Sequence, residues 1–259
     1  MPVLCYHRIG GPPELGVTRF GVSTFAKQMQ ALAKAGWRTL TLEQFQAQIP
    51  TPRAALPAPH SALLLSFDDG YASLAQHAYP VLADLGFTAI TFLVTDFVGR
   101  ENTWDVRYTW RRVQHLDWST IDRWAARGFE FGSHTATHPR LTWLGDLAAT
   151  EELARSRATL VERLGRGAGR ALAFPFGATD PHLRALARGT GYTVAFGGVK
   201  GDPHDPLDQP RLPVYSWDVG SLPLGLRDGW LGESGRFAAY LANRCAVGTS
   251  WMLRLAGRK

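Results

Sequence analysis

The chain reads as an α/β protein, most simply a TIM-like (β/α) barrel of about seven or eight strands. Three observations predict this. Short apolar runs alternate with segments of helical spacing, a pattern in which parallel strands are joined by helical crossovers. Several of those runs end in polar turns, the place where such barrels put their working residues. At 259 residues the chain is long enough for one such barrel around one large core. We read residues 1–259 as a single domain, with 219–259 as a C-terminal helical extension.

Residues 3–7 form a short apolar strand. Residues 24–35 place Phe25, Met29, Leu32 and Ala33 at helical spacing, and Gly36 stops that helix. A strand over 37–42 and a short helix over 42–48 follow, and the proline- and alanine-rich stretch 50–59 is a loop. Ala62-Leu63-Leu64-Leu65 is an unbroken apolar run, hence a buried strand. Next come a helix over 74–85 closed by Gly86 and a β-branched, aromatic strand over 88–94. Ser119 caps a helix reaching Arg127, with Gly128 at its end. Phe129-Glu130-Phe131 is a strand, 147–164 a longer helix, 171–174 a strand and 181–188 a helix. Strands over 193–196 and 211–215 complete the series.

Composition narrows the function classes. A formal charge of +6 suits an anionic partner or a membrane surface. The basic residues are scattered, however, with no dense block and no nucleic-acid motif, so nucleic acid is not an expected partner. No run of about 18 apolar residues could span a bilayer. The last residues, 232–259, mix apolar side chains with Arg236, Arg244, Arg254, Arg258 and Lys259; peripheral membrane contact is open, but a helix covering the barrel is the simpler reading. Met1 to Cys5 has no signal-like stretch, so the sequence as written reads as cytoplasmic, or extracytoplasmic if a leader preceded it. Cys5 and Cys245 are too few for a disulfide framework or a cysteine-based zinc site, though one long-range disulfide would fit.

The chemistry concentrates in two polar segments at strand ends. Ser66-Phe67-Asp68-Asp69-Gly70 puts adjacent carboxylates at the mouth of a buried strand. They are costly there unless something uses their charge, and a metal ion with a proton-transfer task is the best use. His134 and His138 stand four residues apart directly after another strand, and Pro139 favours a turn that converges both rings on one ion. Two histidines and one aspartate around an open position are a catalytic zinc arrangement. We assign Asp69, His134 and His138 as ligands of one divalent ion, zinc first, with cobalt or nickel suited to the same donors.

With these motifs in place a resemblance emerges. Ser66 to Gly70 resembles the T/S-F-D-D-G motif of the polysaccharide deacetylase family, also called the NodB-homology family or carbohydrate esterase family 4. His134 to His138 is similar to its H-S/T-x-x-H metal motif, and Phe174-Pro175-Phe176-Gly177 to a third motif usually ending Pro-Tyr-Gly. The similarity runs from about residue 1 to 218. It implies a distorted barrel, a divalent metal and removal of N- or O-acetyl groups from sugars. It also implies that Asp68 is the general base and Asp69 the ligand, with the backbone N–H of Phe176, beside Pro175, holding the oxyanion.

The pattern departs from the family in two places. The usual general acid is a histidine late in the chain, and no late histidine here ends an apolar strand. The first strand ends in His7 instead. This resembles the circularly permuted branch, which includes deacetylases of exported poly-N-acetylglucosamine and whose last strand has moved to the N-terminus. His7 is then the general acid; an ordinary strand-end histidine is the alternative. The third motif commonly starts with an arginine paired to the catalytic aspartate, and Ala173 stands there. Arg211 is the candidate replacement from a neighbouring strand, and a surface arginine is the alternative. Trp217 and Asp218 follow that strand and are assigned to the acetyl pocket or to orienting His7. The loop 100–118, with Trp104, Asp105, Tyr108, Trp110 and Arg111, is a candidate substrate wall.

The leading expectation is a metal-dependent N-deacetylase of a GlcNAc-containing polysaccharide or glycolipid. Two other readings keep the same site: an amidase on a non-sugar small molecule, and a glycan-binding protein that has lost catalysis, suggested by Ala173.

Overall fold

A computed structural model describes residues 1–11, 17–49, 62–104 and 113–223, together with Leu226 and Ser234. The strands in chain order are β1 (Val3–Tyr6), β2 (Arg8–Ile9), β3 (Arg19–Phe20), β4 (Arg38–Thr39), β5 (Ala62–Phe67), β6 (Ile90–Leu93), β7 (Glu130–Ser133), β8 (Ala171–Ala173), β9 (Val194–Phe196) and β10 (Leu212–Pro213). Eight of them form one sheet in the spatial order β10-β1-β5-β6-β7-β8-β9, with β4 also paired to β5. Every pairing in it is parallel. The two ends of the path approach each other. Gln209 bridges Phe196 of β9, and just before β10 the Arg211 N–H donates to Gly198 O at 2.9 Å. The sheet therefore curls into the expected distorted barrel, and the N-terminal strand β1 fills a place between β10 and β5.

Among the described residues seven α-helices connect the strands: α1 (Val22–Lys34), α2 (Leu42–Gln46), α3 (Ser73–His77), α4 (Tyr79–Asp84), α5 (Trp118–Ala125), α6 (Asp146–Leu164) and α7 (Pro181–Thr190). Strand residues alternate between two environments, as the two-residue period of a strand demands. Val3, Leu64, Ile90, Phe92, Ala171, Ala173, Val194 and Phe196 pack together in the barrel interior. Leu4, Tyr6, Leu63, Leu65 and Phe67 face outward onto α1, α3 and α4, through Phe25, Met29, Leu74 and Tyr79. Leu172 and Ala195 likewise meet α6 and α7 through Leu153, Leu183 and Ala187. β1, β5, β8 and β9 are buried on both faces, which is why their sequences read as largely apolar runs.

Local chemistry adjusts the expected boundaries. The helix expected over 74–85 is two helices, broken at Ala78 (φ −96°, ψ −56°) ahead of Pro80, whose ring removes a donor and crowds the preceding turn. Asp117, not Ser119, caps α5: its carboxylate accepts from the Thr120 N–H at 2.8 Å, and the Ser119 hydroxyl donates to the same oxygen. A carboxylate at the positive end of a helix outcompetes a hydroxyl two residues later. The β2–β3 pair was not anticipated, being two residues on each side. Gly10 after it has φ +70°, and a Cβ there would meet the His77 ring at 2.6 Å. The expected loop at 50–59, residues 105–112 of the candidate wall and nearly all of the 219–259 extension lie outside the described residues. Among the described residues no helix is long and apolar enough to cross a membrane.

Candidate active site

The interior register carries the polar residues to one end of the barrel. Asp68 continues the inward series Leu64 and Ser66 of β5, and His7 continues Val3 and Cys5 of β1. On β7 the inward Gly132 precedes His134; a Cβ at Gly132 would lie 2.9 Å from the Phe92 ring, so this strand narrows to admit Phe92. Among the described residues, Asp69, Thr135, His138 and Phe176 are the non-glycine residues with positive φ, at 61° to 70°. All four belong to the turns after β5, β7 and β8. A left-handed side-chain-bearing residue is strained by about 1–3 kcal/mol, and such strain gathers where a turn must aim functional atoms.

Asp69, His134 and His138 form one group, their donor atoms all within 4.8 Å of each other. His134 Nε2 and His138 Nε2 each stand 3.6 Å from Asp69 Oδ1. That is too long for a hydrogen bond. It matches the roughly 3.4 Å between donors that share a tetrahedral ion at about 2.1 Å. His134 Nδ1 lies 2.8 Å from Ala173 O, a contact that places the proton on Nδ1 and leaves the Nε2 lone pair facing the group. Burial lowers the pKa of both histidines, so both are neutral and able to ligate. The residues therefore fit a divalent cation.

Next to this group, Arg211 grips Asp68 through two parallel hydrogen bonds. Nη1 donates to Oδ1 at 2.6 Å and Nη2 to Oδ2 at 2.8 Å. Arg211 Nε donates to Gly197 O at 3.1 Å, which fixes the fork. Both side chains are buried. Burial alone would raise the Asp68 pKa, but Arg211, with His134 and His7, outweighs it and holds the carboxyl well below the usual range. His7 and Cys5 each offer an atom within 4.8 Å of Asp68. Burial lowers His7 to about 4, against the pull of Asp68, and its Nδ1 has no hydrogen-bond partner among the described residues. Cys5 is a free thiol, pushed up by burial. This second trio is a poor cation site, because the guanidinium already neutralises Asp68.

A shell of side chains positions these candidate ligands. Glu152 of α6 accepts from the N–H of Ala136 and of Thr137 at 3.0 and 2.9 Å, and from the Thr137 hydroxyl at 2.8 Å. One carboxylate thus ties down the turn between the two histidines. Trp104 lies against His138, ring centroids 3.8 Å apart, and Phe176 packs edge-on to it at 4.9 Å. The Trp104 indole N–H donates to His115 Nε2 at 3.4 Å, and His115 Nδ1 lies 3.1 Å from Arg100 O. Glu152 and His115 escaped sequence reasoning because each lies on a separate element from the residue it supports. Phe176 occupies a turn with φ +61°, followed by Gly177, where a Cβ would sit 2.7 Å from Gly198 Cα; Pro175 before it is buried. Trp217 stands on the surface, 43% exposed, stacked on Tyr215 at 4.8 Å. Asp218 is buried, and its backbone O accepts from Gln28 at 2.9 Å on the outer side of β1.

Comparisons with known proteins place the chain in a family. A model of the polysaccharide deacetylase family matches residues 55–195, more than half of the chain, and the chain belongs to that family. It is 27% identical over 203 residues to YxkH of Bacillus subtilis (strain 168), which carries the family's name provisionally. The match covers 78% of this chain and 65% of that relative. The deacetylase PplD of Streptococcus pyogenes, solved with acetate, superposes with a TM-score of 0.72 at 20% identity, over 84% of this chain and 93% of that one. IcaB from Ammonifex degensii does so at 0.67 and 24% identity, over 93% and 96%. These two show that the fold is shared.

Proposed function

We propose that the protein is a metal-dependent hydrolase that removes acetyl groups from N-acetylated, GlcNAc-type sugars of a polysaccharide. The observation that carries this is the division of labour in the Asp pair. Asp69 faces two neutral histidines at 3.6 Å, and Asp68, one residue earlier, is held ionised by a bidentate arginine. Bound by Asp69, His134 and His138, a divalent cation such as Zn2+ supplies Lewis-acid polarisation of the acetyl carbonyl and lowers the pKa of a water.

The remaining steps fall to the chain's own groups. Asp68, fixed by Arg211, is placed to take the proton of the attacking water. In this reading the Phe176 N–H, in the turn after β8, holds the developing oxyanion. His7 is neutral near pH 7, so as a general acid it must gain its proton during the reaction. Asp68, whose acid form gives up a proton readily, is its neighbour. His7 then protonates the sugar nitrogen as the C–N bond breaks, releasing acetate and a free amine. Trp217, exposed beside Tyr215, offers a flat surface for a sugar ring.

The test is acetate release from N-acetylated chito-oligosaccharides after supplementation with Zn2+, Co2+ or Ni2+. Release that Asp68→Asn abolishes supports the proposal. Binding without release favours a glycan-binding protein, and release only from non-sugar amides favours an amidase.

A further inference from the structure

Arg140 stands out among the charged groups around this site. It follows the ligand His138 by two residues and is partly buried. Its guanidinium lies 5.3 Å from the centroid of Trp143 and 6.0 Å from that of Phe176. Phe176 in turn contacts His138 at 4.9 Å, so one ring separates Arg140 from the ligand group. Its Nε is buried and has no hydrogen-bond partner, and no carboxylate among the described residues pairs with it, whereas Arg211, Arg184 and Arg155 all have acidic partners. A buried donor without an acceptor costs about 1–3 kcal/mol, and a native structure keeps such a group where something else supplies the acceptor.

We infer that Arg140 reads an anionic group of the substrate, so that the preferred glycan carries a carboxylate or phosphate close to the acetylated amino sugar. Three features support this. The two rings flank the guanidinium, which lowers the ordering needed on binding. The planar fork matches the two oxygens of a carboxylate or phosphate, which a neutral hydroxyl cannot do. The chain's formal charge of +6 draws acidic polymers toward it. Phe176 would link the two recognition tasks: the reading above gives its N–H to the oxyanion, and its ring flanks Arg140. The inference rests on the deacetylase reading for the identity of the substrate, and on the Arg140 geometry for its charge.

The experiment compares three sets of N-acetylated oligosaccharides of equal length: neutral, carboxylate-bearing and phosphate-bearing. The metal-supplemented wild type is run beside Arg140→Gln and Arg140→Lys, measuring both kcat/KM and equilibrium binding. Wild type should prefer one anionic set over the neutral set by about tenfold or more, chiefly through KM, as a charge-assisted pair implies. Arg140→Gln should bring that ratio near one, with Arg140→Lys between, and the favoured set tells carboxylate from phosphate. Equal use of all three sets by wild type overturns the inference. So does an equal loss on every set in Arg140→Gln, which would mark Arg140 as a support for Phe176 alone. If no set releases acetate, the deacetylase reading fails. The binding ratio then decides the anion site: a preference lost in Arg140→Gln upholds it, and equal binding overturns it.

Discussion

At the scale of single residues, the arginine that grips Asp68 comes from the position just before β10, whereas the family motif commonly places it where Ala173 stands on β8. Ala173 is fully buried and faces the same barrel interior, so two strands offer routes into one pocket. Breaking a buried charged pair by removing one partner costs about 3–5 kcal/mol. Arg211 also keeps Asp68 ionised and oriented, so Arg211→Gln should lower stability and reduce kcat about a hundredfold or more, and Ala173→Arg in that background should restore part of the loss. Acetate-release kinetics check both, and an unchanged kcat in Arg211→Gln would reduce the pair to a structural contact. His115 supports a second prediction. Burial lowers its pKa to about 4, so below the unfolded value near 6.5 the unfolded chain takes up a proton that the folded chain refuses. Its contribution is thus intact above pH 6.5 and is lost as the pH falls toward 4, by about 3 kcal/mol in all. His115→Gln keeps an acceptor for Trp104 and should flatten that part of the stability profile, read as urea midpoints between pH 7 and pH 4.

At the scale of elements, the turn from His134 to His138 was legible as a paired-histidine motif, but its support was not. Glu152 lies on α6, and nothing in the spacing of that helix marks it as reaching back to the Ala136 and Thr137 amides. The turn needs this brace because Thr135 and His138 both sit at positive φ, a conformation side-chain-bearing residues leave when unsupported. Glu152→Ala should weaken metal binding about 10- to 100-fold, as loss of an outer-shell partner does elsewhere. Competition against a chromophoric chelator measures this without reference to activity, and an unchanged affinity would show that the turn holds its own shape. The same limit applies to the split between α3 and α4. Pro80 was visible in the sequence, but its effect depended on where the helix began.

For the whole molecule, β1 lies between β10 and β5 and also carries Cys5 and His7. Deleting residues 1–7 would open the sheet in its middle and expose unpaired edges on both neighbours. The truncated chain should lose its cooperative thermal transition by circular dichroism; a truncated chain that melts as wild type would show that β1 is dispensable. Metal at 100 times its Kd should add about 2.7 kcal/mol to the folded state, and a chelator should remove that gain along with acetate release. What the sequence by itself determined was the kind of fold and the motif residues. Those signals are local: sandwiched strands read as apolar runs, and Asp68-Asp69-Gly70 and His134 to His138 each fit within five residues. Only the tertiary structure decided that Arg211 meets Asp68 across 143 positions, that Glu152 braces the His134–His138 turn and His115 supports Trp104, and that Arg140 stands beside Phe176 with no carboxylate partner among the described residues. Those contacts depend on which strands become neighbours when the sheet curls, and sequence spacing carries no record of that closure.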